Sequence, residues 1–452
     1  MIAKPACFKA YDLRGVVPTE LDAALAYRVG REYVAEFAPP GPVAVGYDIR
    51  ESSPELAAAV AAGLVDGGID VLNLGLCGTE SVYFAAGQSG MGGGIMITAS
   101  HNPREYNGMK LVGAGAKPLA SIEGLARRVM GTPSPLVNRR GRIYLEDSLH
   151  EGHALKALSF FRPQRPKKLR IVVNAGNGGA GLCVDRLAYR LPFELIRVHH
   201  EPDGSFPNGI PNPLLPEGRQ ATAAAVLESK ADFGVAWDGD FDRCFFFDEK
   251  GDFIDGYYIV GLLARELLRE NRGSKIIYDP RVYWNTIETV RGAGGHPVCS
   301  RTGHIFIKEA MRREDAIYGG EMSAHHYFRD FHYCDSGMIP WMLVAALLCD
   351  EQVPLSALVA EAKRKFPCSG EINRTVADAA AVVARVRATY AAEALAVDET
   401  DGLGMEFADW RFNLRSSQTE PLLRLNVETR GNADLLEERT RELLTLMDAK
   451  GK

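Results

Sequence analysis

Three times along this chain a short apolar strand gives way to an amphipathic helix and the alternation begins afresh, a recurrence that limits the fold more than any other feature. In the first stretch Thr19 is a candidate cap for a helix running to about Phe37, and Pro39-Pro40-Gly41-Pro42 stops it. A strand follows over 43–47, then a helix started by Ser53-Pro54 and ended by Gly67-Gly68, a strand over 71–74, a further helix, and a strand over 94–98. Alternation of this kind predicts a parallel sheet flanked by helices. The pattern restarts at 169–174, after a polar arginine-rich stretch at 138–142, and again at 275–278, continuing through 297–300 and 317–322. No fixed period links the three units, which excludes a solenoid. Beyond Pro367 the pattern changes to a strand over 371–376, an alanine-rich helix over 378–395, strands over 410–414 and 422–428, and a last helix from Asn432, which predicts a smaller α+β domain. The expected domains are residues 1–145, 146–250, 251–366 and 367–452, meeting around one central cleft.

A chain of 452 residues has length enough for several cores. Its net charge of −6 provides no global basic field, so neither nucleic acid nor an anionic membrane is expected as a partner. The eight cysteines are scattered without a CxxC pair, as befits reduced thiols, and no apolar run approaches the roughly 18 residues of a membrane span. The expectation is a soluble cytoplasmic protein. With no coiled-coil pattern forcing assembly, a monomer is expected.

Chemistry concentrates in Asp238-Gly239-Asp240-Phe241-Asp242-Arg243, an acidic turn between two strand-like runs. Three carboxylates at alternate positions raise one another's pKa unless a positive centre sits among them, and oxygen ligands alone favour Mg²⁺. An EF-hand is excluded because Arg243 stands where that loop needs glycine and the flanks are strands.

Ser100 ends the buried strand of Ile95-Met96-Ile97-Thr98 and is turned outward by Asn102-Pro103, the place where open parallel sheets bind ligands, although a serine there, taken alone, reads rather as a helix or turn cap. Absence of a GxSxG elbow argues against a hydrolase. Gly176-Asn177-Gly178-Gly179-Ala180-Gly181 fits GxGxxG, with Glu201 some twenty residues on, and supports an alternative, an NAD-dependent dehydrogenase; a structural glycine turn is the better reading. In the third unit Glu321 and Ser323 form a carboxylate and hydroxyl pair suited to sugar hydroxyls, beside His325, and His304 stands alone. Arg415-Ser416-Ser417-Gln418-Thr419 reads as a phosphate cradle or a polar hairpin.

Taken together, Phe8-Lys9-Ala10-Tyr11-Asp12-Leu13-Arg14-Gly15, the serine loop, Tyr106-Asn107-Gly108-Met109-Lys110, the acidic turn, residues 320–325 and residues 415–421 resemble the α-D-phosphohexomutase superfamily, in particular its bacterial phosphomannomutase/phosphoglucomutase branch. The resemblance implies three related α/β domains with mixed sheets, and a C-terminal α+β domain of the TATA-binding-protein-like fold. It implies phosphorylated Ser100, Mg²⁺ held by Asp238, Asp240, Asp242 and an oxygen of that phosphate, sugar contacts from Glu321 and Ser323, and a non-reacting phosphate at Arg415, Ser417, Gln418 and Thr419. Tyr11, Arg243 and His325 are further candidate substrate contacts. Phe241 and Ala324 stand where relatives often have glycine, and Gln418 where asparagine is common.

The implied reaction interconverts hexose 6-phosphate and hexose 1-phosphate, mannose and glucose, through a 1,6-bisphosphate that turns over in the cleft. Lys110, His101, His304 and Arg14 are all candidates for proton transfer, and a lysine base would need its pKa lowered toward about 7. A sugar-phosphate sensor lacking the chemistry is the non-enzymatic reading.

Overall fold

A computed structural model describes residues 6–119, 121–135, 137–416 and 422–448. The chain forms two compact units, one of residues 1–253 with 325–352, the other of 254–324 with 353–452.

In the first unit a six-stranded sheet runs in the order Leu13–Val16, Tyr106–Gly113, Gly93–Ile97, Val43–Tyr47, Val71–Leu76, Ile143–Leu145. The last four strands are mutually parallel, as the alternation predicts. The first two are antiparallel additions: Tyr106–Gly113 doubles back along Gly93–Ile97, and Leu13–Val16 pairs with it in turn. The sheet is therefore mixed, and the two segments that flank the serine in the family pattern are neighbouring strands. The first helix, Ala23–Phe37, starts later than its expected cap at Thr19 because the Asp22 carboxylate accepts the Leu25 N–H at 2.7 Å. It packs directly on helix Ser53–Asp66: a Cβ on Gly63 would lie 2.1 Å from the Tyr27 carbonyl oxygen, so only glycine allows this approach. Val29, Tyr33, Val60, Leu64, Val45 and Ile95 fill the core beneath.

A second sheet in the same unit carries Cys244–Phe247, Phe233–Trp237, Arg170–Asn174 and Glu194–Val198 in that order. Phe233–Trp237 and Cys244–Phe247 form a hairpin closed by the pair Trp237 and Cys244, so the acidic residues occupy its turn as expected. Trp237 meets Trp341 edge to face and donates its indole N–H to the Gly337 carbonyl, anchoring the hairpin against the buried helix Met338–Glu351.

In the second unit Lys275–Tyr278 lies between the parallel strands His296–Cys299 and Tyr318–Gly320. The C-terminal part is a five-stranded antiparallel sheet in the order Ile372–Thr375, Leu422–Thr429, Trp410–Ser416, Leu403–Glu406, Ala396–Asp398, packed with helices Ala379–Tyr390 and Ala433–Asp448. The alanine-rich helix expected to reach residue 395 stops at Tyr390, since Ala396–Asp398 is taken as an edge strand by Leu403–Glu406; tertiary pairing overrides helix propensity there. No single helix among the described residues is long and apolar enough to cross a membrane, and all eight cysteines are free.

Candidate active site

Ser100 follows the strand Gly93–Ile97 in a left-handed conformation, φ +49°, which a residue with a Cβ adopts only when its surroundings impose it. The Thr98 hydroxyl accepts the Ser100 N–H at 2.8 Å. The larger constraint is Arg50. Its buried guanidinium donates to four carbonyl oxygens of the serine loop: Ser100 at 2.9 Å, Asn102 at 2.7 Å, Pro103 at 2.7 Å and Tyr106 at 2.9 Å. Asp48, 3.4 Å away, balances its charge, and Phe206 stacks over it. Arg14, brought alongside by its strand, donates to the Asn102 side chain at 2.7 Å.

This loop aims Ser100 at the acidic turn. Ser100 Oγ donates to Asp238 Oδ2 at 2.7 Å, and His101 Nδ1 lies 2.9 Å from Ser100 Oγ. Asp238, Asp240 and Asp242 are fully buried, each offering an oxygen within 4.8 Å of the others. Like charges so placed repel: burial and the other two carboxylates push Asp238 up to about 7. Asp242 is held well below the carboxylate range, because Lys110 and His325 outweigh its burial. Asp240 Oδ2 accepts from Thr79 Oγ1 at 2.5 Å and from Lys110 Nζ at 2.7 Å, whereas Asp240 Oδ1 is buried with no hydrogen-bond partner. A buried carboxylate oxygen left without a donor, amid three acids and a serine hydroxyl, is the donor set a divalent cation completes.

Cations surround the acids. Lys110 Nζ contacts Asp240 and, at 2.5 Å, Asp242, and although burial favours a neutral amine, the two carboxylates raise its pKa. That is the reverse of the lowered pKa a lysine base needs. Burial, with Arg243, Arg14 and Lys110 nearby, keeps His101 neutral, its pKa well below the usual value. Arg243 Nε lies 3.6 Å from Asp238 Oδ2 and donates at 3.2 Å to His325 Nε2, which sits 3.5 Å from Asp242 Oδ1.

Phe241 takes φ +46° at the centre of the turn, the conformation that makes glycine common at this position. Its buried ring holds it there. A Cβ on Gly78 would lie 2.2 Å from that ring, so Gly78 and Phe241 fit as a pair. The GxGxxG loop meets the turn from the other side. Gly179 donates its N–H to the Gly239 carbonyl, and a Cβ on Gly178 would sit 2.8 Å from that oxygen. These glycines support the acidic turn, which answers the dinucleotide alternative.

In the second unit Glu321 is buried and accepts the Gly303 N–H at 2.7 Å, beside His304. Ser323 is partly exposed, and the next residue, Ala324, takes φ +66°. Arg281 links this loop to the C-terminal sheet: it pairs with Asp279 at 2.7 Å, approaches Glu321 at 3.8 Å and bonds Glu371 at 2.8 Å. Glu371 also faces Arg424 at 3.2 Å and Arg415 at 3.8 Å. Glu321 and Arg415, far apart in sequence, thus share one ion-pair chain. Ser417, Gln418 and Thr419 lie outside the described residues.

Sequence reasoning did not single out Arg50, Thr79, Arg281 or Glu371. Each is a lone polar residue in an ordinary loop or at an element's end, and only long-range packing reveals its partners.

Family models match in order along the chain: "Phosphoglucomutase/phosphomannomutase, alpha/beta/alpha domain I" over residues 5–126, domain II over 150–251, domain III over 255–366 and the "C-terminal domain" over 371–445. A phosphomannomutase of Salmonella typhimurium is 55% identical, covering 99% of this chain and 100% of its own length. A Xanthomonas campestris protein named "Phosphohexose mutases" is also 55% identical, over 97% and 98% respectively. Among solved structures, a phosphoglucomutase/phosphomannomutase family protein from Burkholderia thailandensis superposes with TM-score 0.88 at 32% identity, covering 100% of this chain and 99% of its own.

Proposed function

The chain belongs to the phosphoglucomutase/phosphomannomutase family and is a phosphohexose mutase, and from that premise we propose that Ser100 is its phosphoryl carrier, moving phosphate between O6 and O1 of a hexose. The observation that carries this reading is Ser100 Oγ at 2.7 Å from Asp238, one of three clustered carboxylates with an unfilled oxygen beside it. Asp238, Asp240 and Asp242, with an oxygen of the serine phosphate, would hold Mg²⁺, which when bound neutralises the phosphoryl oxygens in a loose transition state.

In the first transfer the bond from phosphorus to Ser100 Oγ breaks and one to the sugar hydroxyl forms. That hydroxyl loses its proton and Oγ regains one. Neutral His101, with Nδ1 2.9 Å from Oγ, is placed to return it. Lys110 serves better as an ammonium that steadies Asp240 and Asp242, and Arg14 as a brace of the serine loop through Asn102. The hexose 1,6-bisphosphate so formed reorients and gives its other phosphate back to Ser100. Glu321 and Ser323 bind sugar hydroxyls, with His304 nearby for proton transfer. Arg415, Ser417, Gln418 and Thr419 take the non-reacting phosphate, and Tyr11, Arg243 and His325 make further substrate contacts. Domains spanning 1–145, 146–250, 251–366 and 367–452 divide these roles in a monomeric cytoplasmic enzyme.

Glu321 and Ser323 suit O3 and O4, which mannose and glucose share, so both sugars should be substrates. A coupled assay with Mg²⁺ and trace bisphosphate should give kcat/KM values for mannose 1-phosphate and glucose 1-phosphate within about tenfold of each other. Turnover of neither would overturn the proposal.

A further inference from the structure

The second unit contains a cavity of about 460 Å³ between the helices Gly256–Glu270, Trp284–Gly292 and Leu355–Lys365. None of its lining residues belongs to the serine loop, the acidic turn, the sugar loop or the C-terminal phosphate segment. Buried Leu262, Leu268, Val359 and Phe366 give it an apolar floor.

Four cations line it: Arg265, Arg269, Arg272 and Lys365. Two are already neutralised, Lys365 by Glu288 and Glu361, each at 3.0 Å, and Arg269 by Glu266 at 3.0 Å. Among the described residues Arg265 and Arg272 have no hydrogen-bond or salt-bridge partner. Glu361 feels the charge of Arg265 but is itself bonded to Lys365. Arg265 is moreover partly buried, and a guanidinium withdrawn from water beside an apolar wall is costly without a counter-charge. In a chain of net charge −6, four cations against the three carboxylates Glu266, Glu288 and Glu361 leave this cavity with an excess positive charge, and Arg265 and Arg272 are the two outside its ion pairs.

We propose that this cavity binds a small organic phosphate, its anionic head between Arg265 and Arg272 and its apolar or ring-shaped body on Leu262, Leu268, Val359 and Phe366. The volume falls in the range of about 300 to 1,000 Å³ typical of sites for cofactor-sized molecules, and paired arginines are the usual donors to phosphate. One wall is the helix Leu355–Lys365, and Gly431 of the C-terminal domain donates its backbone N–H to the Lys365 carbonyl at 2.8 Å, so the site adjoins the segment that leads into that domain.

The test is calorimetric titration of the intact enzyme and of the Arg265→Glu/Arg272→Glu variant, with ADP as the organic-phosphate probe and inorganic phosphate as the bare anion. Wild type should saturate with ADP at least tenfold more tightly than with inorganic phosphate, and the variant should bind ADP at least tenfold more weakly, with mutase turnover and melting temperature unchanged. Should the double variant melt early, the exposed single change Arg272→Glu carries the same expectation of weakened ADP binding. Failure of ADP to bind wild type, equal binding by the variants, or inorganic phosphate binding as tightly as ADP would each overturn the proposal.

Discussion

Replacing Arg50 by lysine keeps a cation beside Asp48 but removes the planar fork that reaches the carbonyls of Ser100, Asn102, Pro103 and Tyr106. An ammonium has three donors, one of which Asp48 would take, so at least two of the four carbonyls lose their partner. The Pro103 carbonyl keeps the Tyr106 N–H, so one or two acceptors are left dry, and at about 1 to 3 kcal/mol each the destabilisation is about 1 to 6 kcal/mol. The functional cost comes through geometry. Ser100 sits at φ +49° only because its loop is tied down, and a shift of about 1 Å in a reacting atom costs about a hundredfold in rate. Arg50→Lys should therefore lower kcat about a hundredfold in a coupled glucose 1-phosphate assay. KM should stay within a few fold, since Arg50 bonds to the loop's carbonyls. The melting temperature, read on the same preparation, should fall. A variant that melts early yet retains kcat within twofold of wild type would refute the argument that Arg50 positions the serine.

Asp240→Asn keeps the shape of the acidic turn but removes a charge and the unfilled carboxylate oxygen; Mg²⁺-dependent turnover should drop by about a hundredfold or more while circular dichroism is unchanged, and an unaltered Mg²⁺ titration would count against the site. Glu371→Gln strips three arginines, 281, 415 and 424, of their shared counter-charge; chemical denaturation at pH 7 should show a loss of about 3 to 5 kcal/mol. Burial would raise the Glu371 pKa, but the arginines win and lower it, so its stabilisation is complete above the unfolded carboxylate value and is lost as pH falls through the folded one. Wild type and variant should therefore converge in acid, and a gap that widens on acidification would show the sign to be wrong.

What could be read from the residues follows from what is local. Asp238, Asp240 and Asp242 lie within one turn, and the strand before Ser100 is an unbroken apolar run, so both chemical halves are visible in short windows of sequence. Their approach is not, since it depends on strand order across two sheets. The strands Leu13–Val16 and Tyr106–Gly113 are hard to find for a related reason: neither alternates cleanly, and they exist because each pairs with a distant partner, which is what carries Arg14 and Lys110 to the serine. Arg50, between an aspartate and a glutamate in sequence, reads locally as a solvated loop cation; only the fold gives it four carbonyls. The glycine motif at 176–181 misleads in the opposite direction. Its glycines are needed for packing against Gly239, a reason that the local pattern cannot distinguish from phosphate binding.

The central claim is that Ser100 carries the phosphate, and the most direct measurement follows that phosphate itself. The enzyme is incubated with glucose 1,6-bisphosphate labelled at phosphorus, freed of excess ligand, and then chased with unlabelled glucose 1-phosphate in the presence of Mg²⁺. The label should reside on the peptide containing Ser100, pass to the sugar within a single turnover, and be absent from Ser100→Ala. Label on any other residue, or label on Ser100 that the sugar cannot remove, would contradict the account.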